Sequence, residues 1–456
     1  MEKNKKIILL CAVVIMVLTV VSLLLHVSGL DVKRIFLGER EHQEKTGDNY
    51  SGVTENNPKE PGSDADSGNG APPSGRIDNG ETSEDSNGAG SGDDSGTDKS
   101  EGQDGNNLKK WENIKVKAVY LTGPMAGNSK VLDHFVELVK NTELNALVID
   151  LKEGGIINYE SNVPEVRDNN LYRKYYNIDE IVKKLHDNGI FAIGRIVCFR
   201  DNGLAAKRPE LAIKKPDGTL WKEGGKSAWT NPYKMETWDY NIAIAKEAVE
   251  KGFDEIQFDY VRFPTAKKNE VYYGDNPPSK ADAICGFLKA ASDELHKMGV
   301  PVSADVFGII AESVKDGLAI GQDLDRIGLD IDYICPMVYP SHYANASNGI
   351  MGNGYGQSIN GVMFTAPDLK PYEVVYNTLI KTKDRISKVE NYKAKVRPYL
   401  QDFTATYLKE GFYQKYGPEQ VRQQIKAVYD AGYDEWILWN GRNIYSEGAL
   451  IKESGE

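Results

Sequence analysis

The sequence predicts an α/β protein, a single (β/α)8 TIM barrel preceded by a transmembrane helix and a disordered acidic linker. Three observations carry that prediction. From Lys115 onward one unit recurs, an amphipathic helix pattern, then a Gly or Asn-Gly break, then a short apolar run. The runs number eight and are nearly continuous in apolar residues, as parallel strands covered on both faces are. Polar and charged residues collect where the runs end, and the C-terminal strand ends are the face of a parallel barrel at which chemistry is done.

In chain order, residues 1–30 come first. Lys3, Lys5 and Lys6 precede Ile7 to Leu25, in which only Thr19 and Ser22 are mildly polar. At 1.5 Å per residue such a stretch spans about 28 Å, close to the hydrocarbon thickness of a bilayer. An uncleaved anchor is expected, with its lysines cytoplasmic and the rest of the chain outside the cell membrane. A cleaved signal peptide is the competing reading, but its apolar core is shorter, about 7–15 residues, and no A-x-A-like site follows.

Residues 31–112 read as a tether of Gly, Ser, Asp, Asn, Glu and Pro, too poor in apolar side chains to offset the entropy of ordering. Between residues 41 and 108 lie 16 acidic and 4 basic residues, which account for the whole net charge of −12. The rest of the chain sums to zero. No nucleic-acid partner is therefore expected. Of the four cysteines, Cys11 falls in the anchor, and Cys198, Cys285 and Cys335 read as buried free thiols; no C-x-x-C spacing exists.

Residues 113–456 form the predicted barrel. Its strands are expected at Ala118–Leu121, Ala146–Ile149, Phe191–Val197, Glu255–Phe258, Val302–Ala304, Tyr333–Met337, Val396–Leu400 and Trp436–Trp439. Helix patterns lie near 130–142, 178–188, 237–251, 279–298, 372–388 and 418–431, with short turns near 321–328. Gly189, Gly252, Gly299, Gly328 and Gly432 sit where helix C-termini call for a left-handed residue. A doubly wound open sheet is the alternative, but it lacks a G-x-G-x-x-G loop after its first strand. Long loops at 200–236, 264–278 and 340–370 are the expected walls of a cleft.

The predicted strand ends bring together Asp150, Lys152 and Glu153; Arg195 and Arg200; Asp259 and Arg262; Asp305; Tyr339 and His342; Asp402; and Asn440 with Arg442. Asp259 is the central candidate, because a carboxylate at the end of the apolar run Glu255–Phe258 is held by the strand and open to the loop side. The competing reading is that it pairs with Arg262 to hold a turn. Carboxylates dominate the set, and two carboxyl groups flanking a glycosidic bond are what its hydrolysis requires. Trp221, Trp229, Tyr260, Tyr339, Tyr343, Trp436 and Trp439 supply flat apolar faces suited to sugar C–H surfaces, or else pack the core.

His342 is the only histidine at the mouth, a candidate sugar-hydroxyl ligand or an ordinary surface side chain, and no H-x-H or H-E-x-x-H pair exists. A metal hydrolase is thus not expected, and no metal or organic cofactor is required.

The segments Trp229-Thr-Asn-Pro232, Phe258-Asp-Tyr-Val-Arg-Phe-Pro264, Ala304-Asp-Val-Phe-Gly308, Cys335-Pro-Met-Val-Tyr-Pro340, Arg397-Pro-Tyr-Leu-Gln-Asp-Phe403 and Leu438-Trp-Asn440 resemble the glycoside hydrolase-like domain family of bacterial surface proteins. The resemblance covers about residues 115 to 450 and implies a TIM barrel acting on carbohydrate. The wider relatives include α-amylase-like barrels. By strand position these imply Asp259 as nucleophile, Asp305 as acid/base and Asp402 as stabiliser. The chain departs from them in having Asp rather than Glu at the fifth strand, which leaves Asp402, Asp150 or Glu153 as alternative acids. Asp150, Glu153, Arg195, Trp229, Tyr260, Arg262, Tyr339, His342, Trp439 and Asn440 are the expected substrate-binding residues.

The expected function is that of a membrane-anchored glycoside hydrolase acting outside the cell on a wall or surface polysaccharide. The alternative is a non-catalytic carbohydrate-binding or envelope scaffold protein on the same barrel.

Overall fold

A computed structural model describes residues 114–343 and 357–451. The expected anchor and the whole of the expected tether lie outside the described residues. Within the described residues no helix is long and apolar enough to cross a membrane.

Eight parallel strands close into a barrel. They are β1 (Lys117–Leu121), β2 (Ala146–Glu153), β3 (Phe191–Val197), β4 (Glu255–Asp259), β5 (Val302–Phe307), β6 (Tyr333–Met337), β7 in two pieces (Lys395–Val396 and Tyr399–Gln401) and β8 (Trp436–Trp439). Each pairs with its successor, and β1 closes the ring by pairing with both β2 and β8: Ala118 is opposite Ala146 on one side and Ile437 on the other. Closure rules out the open-sheet alternative. The break in β7 falls at Pro398, which has no N–H to give to the ladder.

The helices lie close to where their periodicity places them. The main ones are α1 (Ser129–Asn141), α2 (Ile178–Asp187), α3 (Met235–Glu250), α4 (Lys280–Lys297), α5 (Val314–Ile320), α6 (Leu324–Ile327), α7 (Pro371–Ile386) and α8 (Pro418–Asp430), of which α5 has no counterpart in the expected pattern; the short helices Gly123–Ala126, Pro164–Asp168 and Asn202–Lys207 were not expected either. Their starts are chemically marked. Asn128 caps α1 by accepting from the Lys130 and Val131 amides, and Ser279 with Asp282 forms a capping box on α4.

Gly252 ends α3 with φ +102°, as expected of a left-handed break, but Gly328 corrects the same expectation. Its φ is −92°, and what requires glycine is the Tyr392 ring, 2.3 Å from where a Cβ would stand. The long loops hold two small hairpins, Lys222–Glu223 with Ser227–Ala228 and Gln357–Ile359 with Val362–Phe364.

Alternation along each strand divides the core. Outward residues such as Phe258 and Trp436 pack under the helices: Phe258 meets Phe287 of α4 edge-on at 5.1 Å, and the Trp436 indole donates to Tyr429 of α8. Inward residues of β4 are polar at every level. At the bottom, Arg397 of β7 reaches across the interior to donate to both Glu255 oxygens (2.7 and 2.9 Å) and to Glu435 (2.8 Å), while its guanidinium stacks on Tyr333. In the middle, Gln257 accepts from the Tyr399 hydroxyl and donates to the Cys335 sulfur. At the top stands Asp259. Cys198 and Cys335 are buried free thiols, and Cys285 is half-buried.

The bottom triad is fully enclosed, and removing its cation strands two carboxylates with no counter-charge. Arg397→Met should lower the free energy of unfolding by about 3–5 kcal/mol, read from the urea midpoint. A change below about 1 kcal/mol would show that the triad contributes nothing net.

Candidate active site

The site is built around Arg195, whose Cα lies opposite Asp150 on β2 and Gln257 on β4. Its side chain is buried in the barrel mouth. Nη1 donates to Asp150 Oδ1 at 2.5 Å and to Glu153 Oε2 at 3.1 Å. Nη2 and Nε both reach Asp259 Oδ2, at 2.5 and 3.1 Å, and Nε lies 3.9 Å from Asp305 Oδ2. One guanidinium thus gathers four carboxyl groups from three strands, β2, β4 and β5. Burial alone would lower its pKa, but the surrounding acids, Asp150 and Asp259 first, raise it well above the ordinary value.

The four acids are not equivalent. Asp259 accepts from Arg195 twice and from the Tyr260 amide at 2.5 Å, an acceptor-only pattern suited to a carboxylate. Asp305 is 1% exposed, and its Oδ1 has no hydrogen-bond partner among the described residues. Burial, reinforced by the charge of Asp259, drives its pKa well above the carboxylate range. Asp305 therefore holds a proton where a free carboxyl group would have lost it. Because Asp259 Oδ2 and Asp305 Oδ2 share the Arg195 Nε, at 3.1 and 3.9 Å, those oxygens lie no more than about 7 Å apart, within the spacing of carboxyl pairs that flank a glycosidic bond. Asp150 is held at about 7, raised by burial and lowered in part by Arg195 and the Tyr120 hydroxyl, which donates at 2.5 Å. Glu153 is the most exposed of the four, its side chain 45% accessible.

Opposite the acids runs a wall of rings. Trp439 packs on Tyr120 (6.2 Å), Tyr339 (5.7 Å) and Phe403 (5.5 Å), and His342 meets both Tyr339 and Phe403. Burial holds the His342 imidazole at about 4, so it is neutral at neutral pH. Tyr120 and Phe403 were not among the expected site residues. Tyr120 was legible in principle, since it follows Ala118 by two and so faces inward on the first strand. The position of Phe403 depends on the loop after β7, for which periodicity offers no signal.

Several expectations change. Arg262 does not pair with Asp259. Its guanidinium lies over the rings of Trp229, Tyr260 and Phe307 at 4.8, 5.1 and 5.0 Å, and Nη1 donates to the Phe263 carbonyl. Trp229 is wholly buried, its indole donating to Glu223, so its ring packs Arg262 and Tyr260 and offers no open face to a sugar. Tyr260 adopts φ +48°, a left-handed backbone rare outside glycine, which turns its ring toward Arg200 and Arg262.

Asp402 stands apart from the Arg195 group: both its oxygens bind Ser446, through the amide and the hydroxyl, each at 2.7 Å. The Asn440 side chain is likewise spent, donating to the Asp402 and Ile444 carbonyls and accepting from the Arg442 amide. Both residues pin the loop after β8. Lys152 leaves the mouth altogether, because a register shift after Asp150 turns it behind the strand onto Asp201, Asn241 and the Cys198 carbonyl. Among the described residues no three His, Cys, Asp or Glu side chains are placed to hold a metal ion.

Residues 118–445 match the family described as "Putative glycosyl hydrolase domain". No curated protein matches the chain. Among solved structures, a hypothetical protein from Ruminiclostridium thermocellum is 47% identical, with 42% of this chain and 99% of that one covered, at a TM-score of 0.40. The PgaB (BpsB) glycoside hydrolase domain from Bordetella bronchiseptica is 10% identical over 75% of this chain and 100% of that one, at a TM-score of 0.48. The spore cortex-lytic enzyme SleL of Bacillus megaterium is 12% identical, covering 74% and 72%, at 0.42.

The shifted Asp150 makes a prediction about stability. Its folded-state pKa, about 7, lies above its ordinary value of 3.8, so folding takes up a proton between those limits. The stabilising contribution is complete below about pH 4 and is lost as the pH rises through about 7. Thermal unfolding should show the wild type losing stability relative to Asp150→Asn across that interval and running parallel to it above. Parallel curves throughout would mean that Asp150 does not titrate there.

Proposed function

The chain belongs to this family of glycosyl hydrolase domains, and from that membership we propose that Asp259 and Asp305 are the carboxyl pair that cleaves a glycosidic bond. In this reading an Asp259 oxygen attacks the anomeric carbon. The bond from that carbon to the departing oxygen breaks, and Asp305 gives its proton to that oxygen. Water, relieved of a proton by the ionised Asp305, then releases the sugar from Asp259 and restores both groups. The observation that carries the reading is the shared Arg195 Nε, which hydrogen-bonds Asp259 and lies beside Asp305, whose burial raises its pKa. Arg195, Asp150 and Glu153 would orient Asp259 and the sugar hydroxyls, and Trp439 with His342, backed by the buried Tyr339, would carry the sugar faces.

We further propose the setting inferred from the sequence: an anchor at residues 1–30, a tether at 31–112 and the catalytic domain at 113–456, outside the cell. The three N-terminal lysines followed by an unbroken apolar run support that orientation. An acidic, self-repelling tether supports a reach away from the membrane, toward a wall or surface polysaccharide.

Purified protein screened against wall and storage polysaccharides, with product analysis, tests the activity. On any substrate that is cleaved, Asp259→Asn and Asp305→Asn should each reduce turnover by about 10²–10⁴-fold with an unchanged circular dichroism spectrum. Wild-type turnover in either variant removes that residue from the mechanism.

A further inference from the structure

Arg262 is chemically unfinished. Among the described arginines that are not fully exposed, Arg195, Arg200, Arg208, Arg326, Arg385, Arg397 and Arg422 each have a carboxylate partner within 4 Å. Arg262, half-buried, does not. A partly desolvated cation normally acquires an anion, because burial removes the water that would otherwise stabilise it. Here three rings from three elements take the place of that anion: Trp229 in the β3–α3 loop, Tyr260 after β4 and Phe307 at the end of β5.

Rings bind a guanidinium over its flat faces and accept little along its edge. The edge carries five N–H groups, and one hydrogen bond, from Nη1 to the Phe263 carbonyl, is made among the described residues. The group is thus fixed in position with in-plane donors to spare. It is tied to the candidate site through Tyr260, whose ring it covers and whose backbone amide donates to Asp259.

We propose that Arg262 recognises a carboxylate on the saccharide, so that the substrate carries an acidic sugar bound beside Asp259. The inference rests on the glycoside hydrolase reading for its location in a sugar cleft, but not for its chemistry. A planar fork of N–H donors is the complement of a carboxylate and discriminates it from a hydroxyl. Two kinds of sugar carboxylate would serve, a uronic acid and a lactyl ether.

The test uses matched sugars that differ by the acidic group, so that binding is read without turnover. Glucuronic acid is compared with glucose, and N-acetylmuramic acid with N-acetylglucosamine, by ligand-observed NMR titration of the full chain and of its Arg262→Gln variant. In the wild type, one acidic member should bind about tenfold more tightly than its neutral partner. Which pair shows the preference identifies the kind of carboxylate. The preference should vanish in Arg262→Gln and weaken as salt is raised.

Equal binding within both pairs by the wild-type chain overturns the proposal, and this arm depends on no variant folding. So does a preference that survives in Arg262→Gln. Failure of the hydrolase reading looks different: the acidic preference is present, yet no saccharide is cleaved.

Discussion

A single buried guanidinium sets the terms for the mouth of this barrel. Without Arg195, Asp150 and Asp259 would be two carboxylates facing one another in a space almost closed to water, a situation that resolves by protonation or by local unfolding. With it, the acids can be held within a few ångströms of one cation. Asp259 takes two of the N–H bonds. Asp305, on the next strand, sits 3.9 Å from Nε and takes none. Those two contacts distinguish Asp259, held directly by the guanidinium, from Asp305, whose burial raises its pKa.

The same constraint recurs down the barrel axis. Strand β4 sends Glu255, Gln257 and Asp259 into the interior, and each is answered from elsewhere in the barrel, by Arg397, Tyr399 and Arg195. A barrel interior filled by aliphatic side chains would be easier to stabilise. At the bottom and in the middle the polar column ties β4 to β7, strands that are not neighbours in the sheet, and at the top it ties β4 to its neighbour β3. Around it, the β7 and β8 loops are drawn together by Asp402, Ser446 and Asn440, which frame the ring wall without reaching the acids.

Most of the fold was legible from local pattern. Phe191–Val197, Tyr333–Met337 and Trp436–Trp439 begin and end as their largely apolar runs do, because a strand covered on both faces carries few polar side chains. Strands β2 and β5 run on past the expected ends to Glu153 and Phe307, since backbone pairing continues after the apolar run stops. Gly328 was read as a left-handed break when it is a point of close approach, a distinction that depends on Tyr392, 64 residues later in the chain. At the site, the gathering of Asp150, Glu153, Arg195, Asp259 and Asp305 could be expected from strand ends alone. The partners of Asp402, Asn440, Lys152 and Arg262 could not.

By itself, then, the sequence determined which elements form, their order around the ring and the face on which polar side chains accumulate, because periodicity and strand polarity are properties of the chain's own neighbours. Only the tertiary structure decided what each polar side chain does there. Hydrogen bonds form between groups brought together by folding, and their reach of about 3 Å is far finer than any spacing along the sequence can specify. Thus Arg195 and Arg262, both read from strand ends as arginines of the mouth, part company in the folded protein: one is saturated with carboxylates, and the other is enclosed by rings.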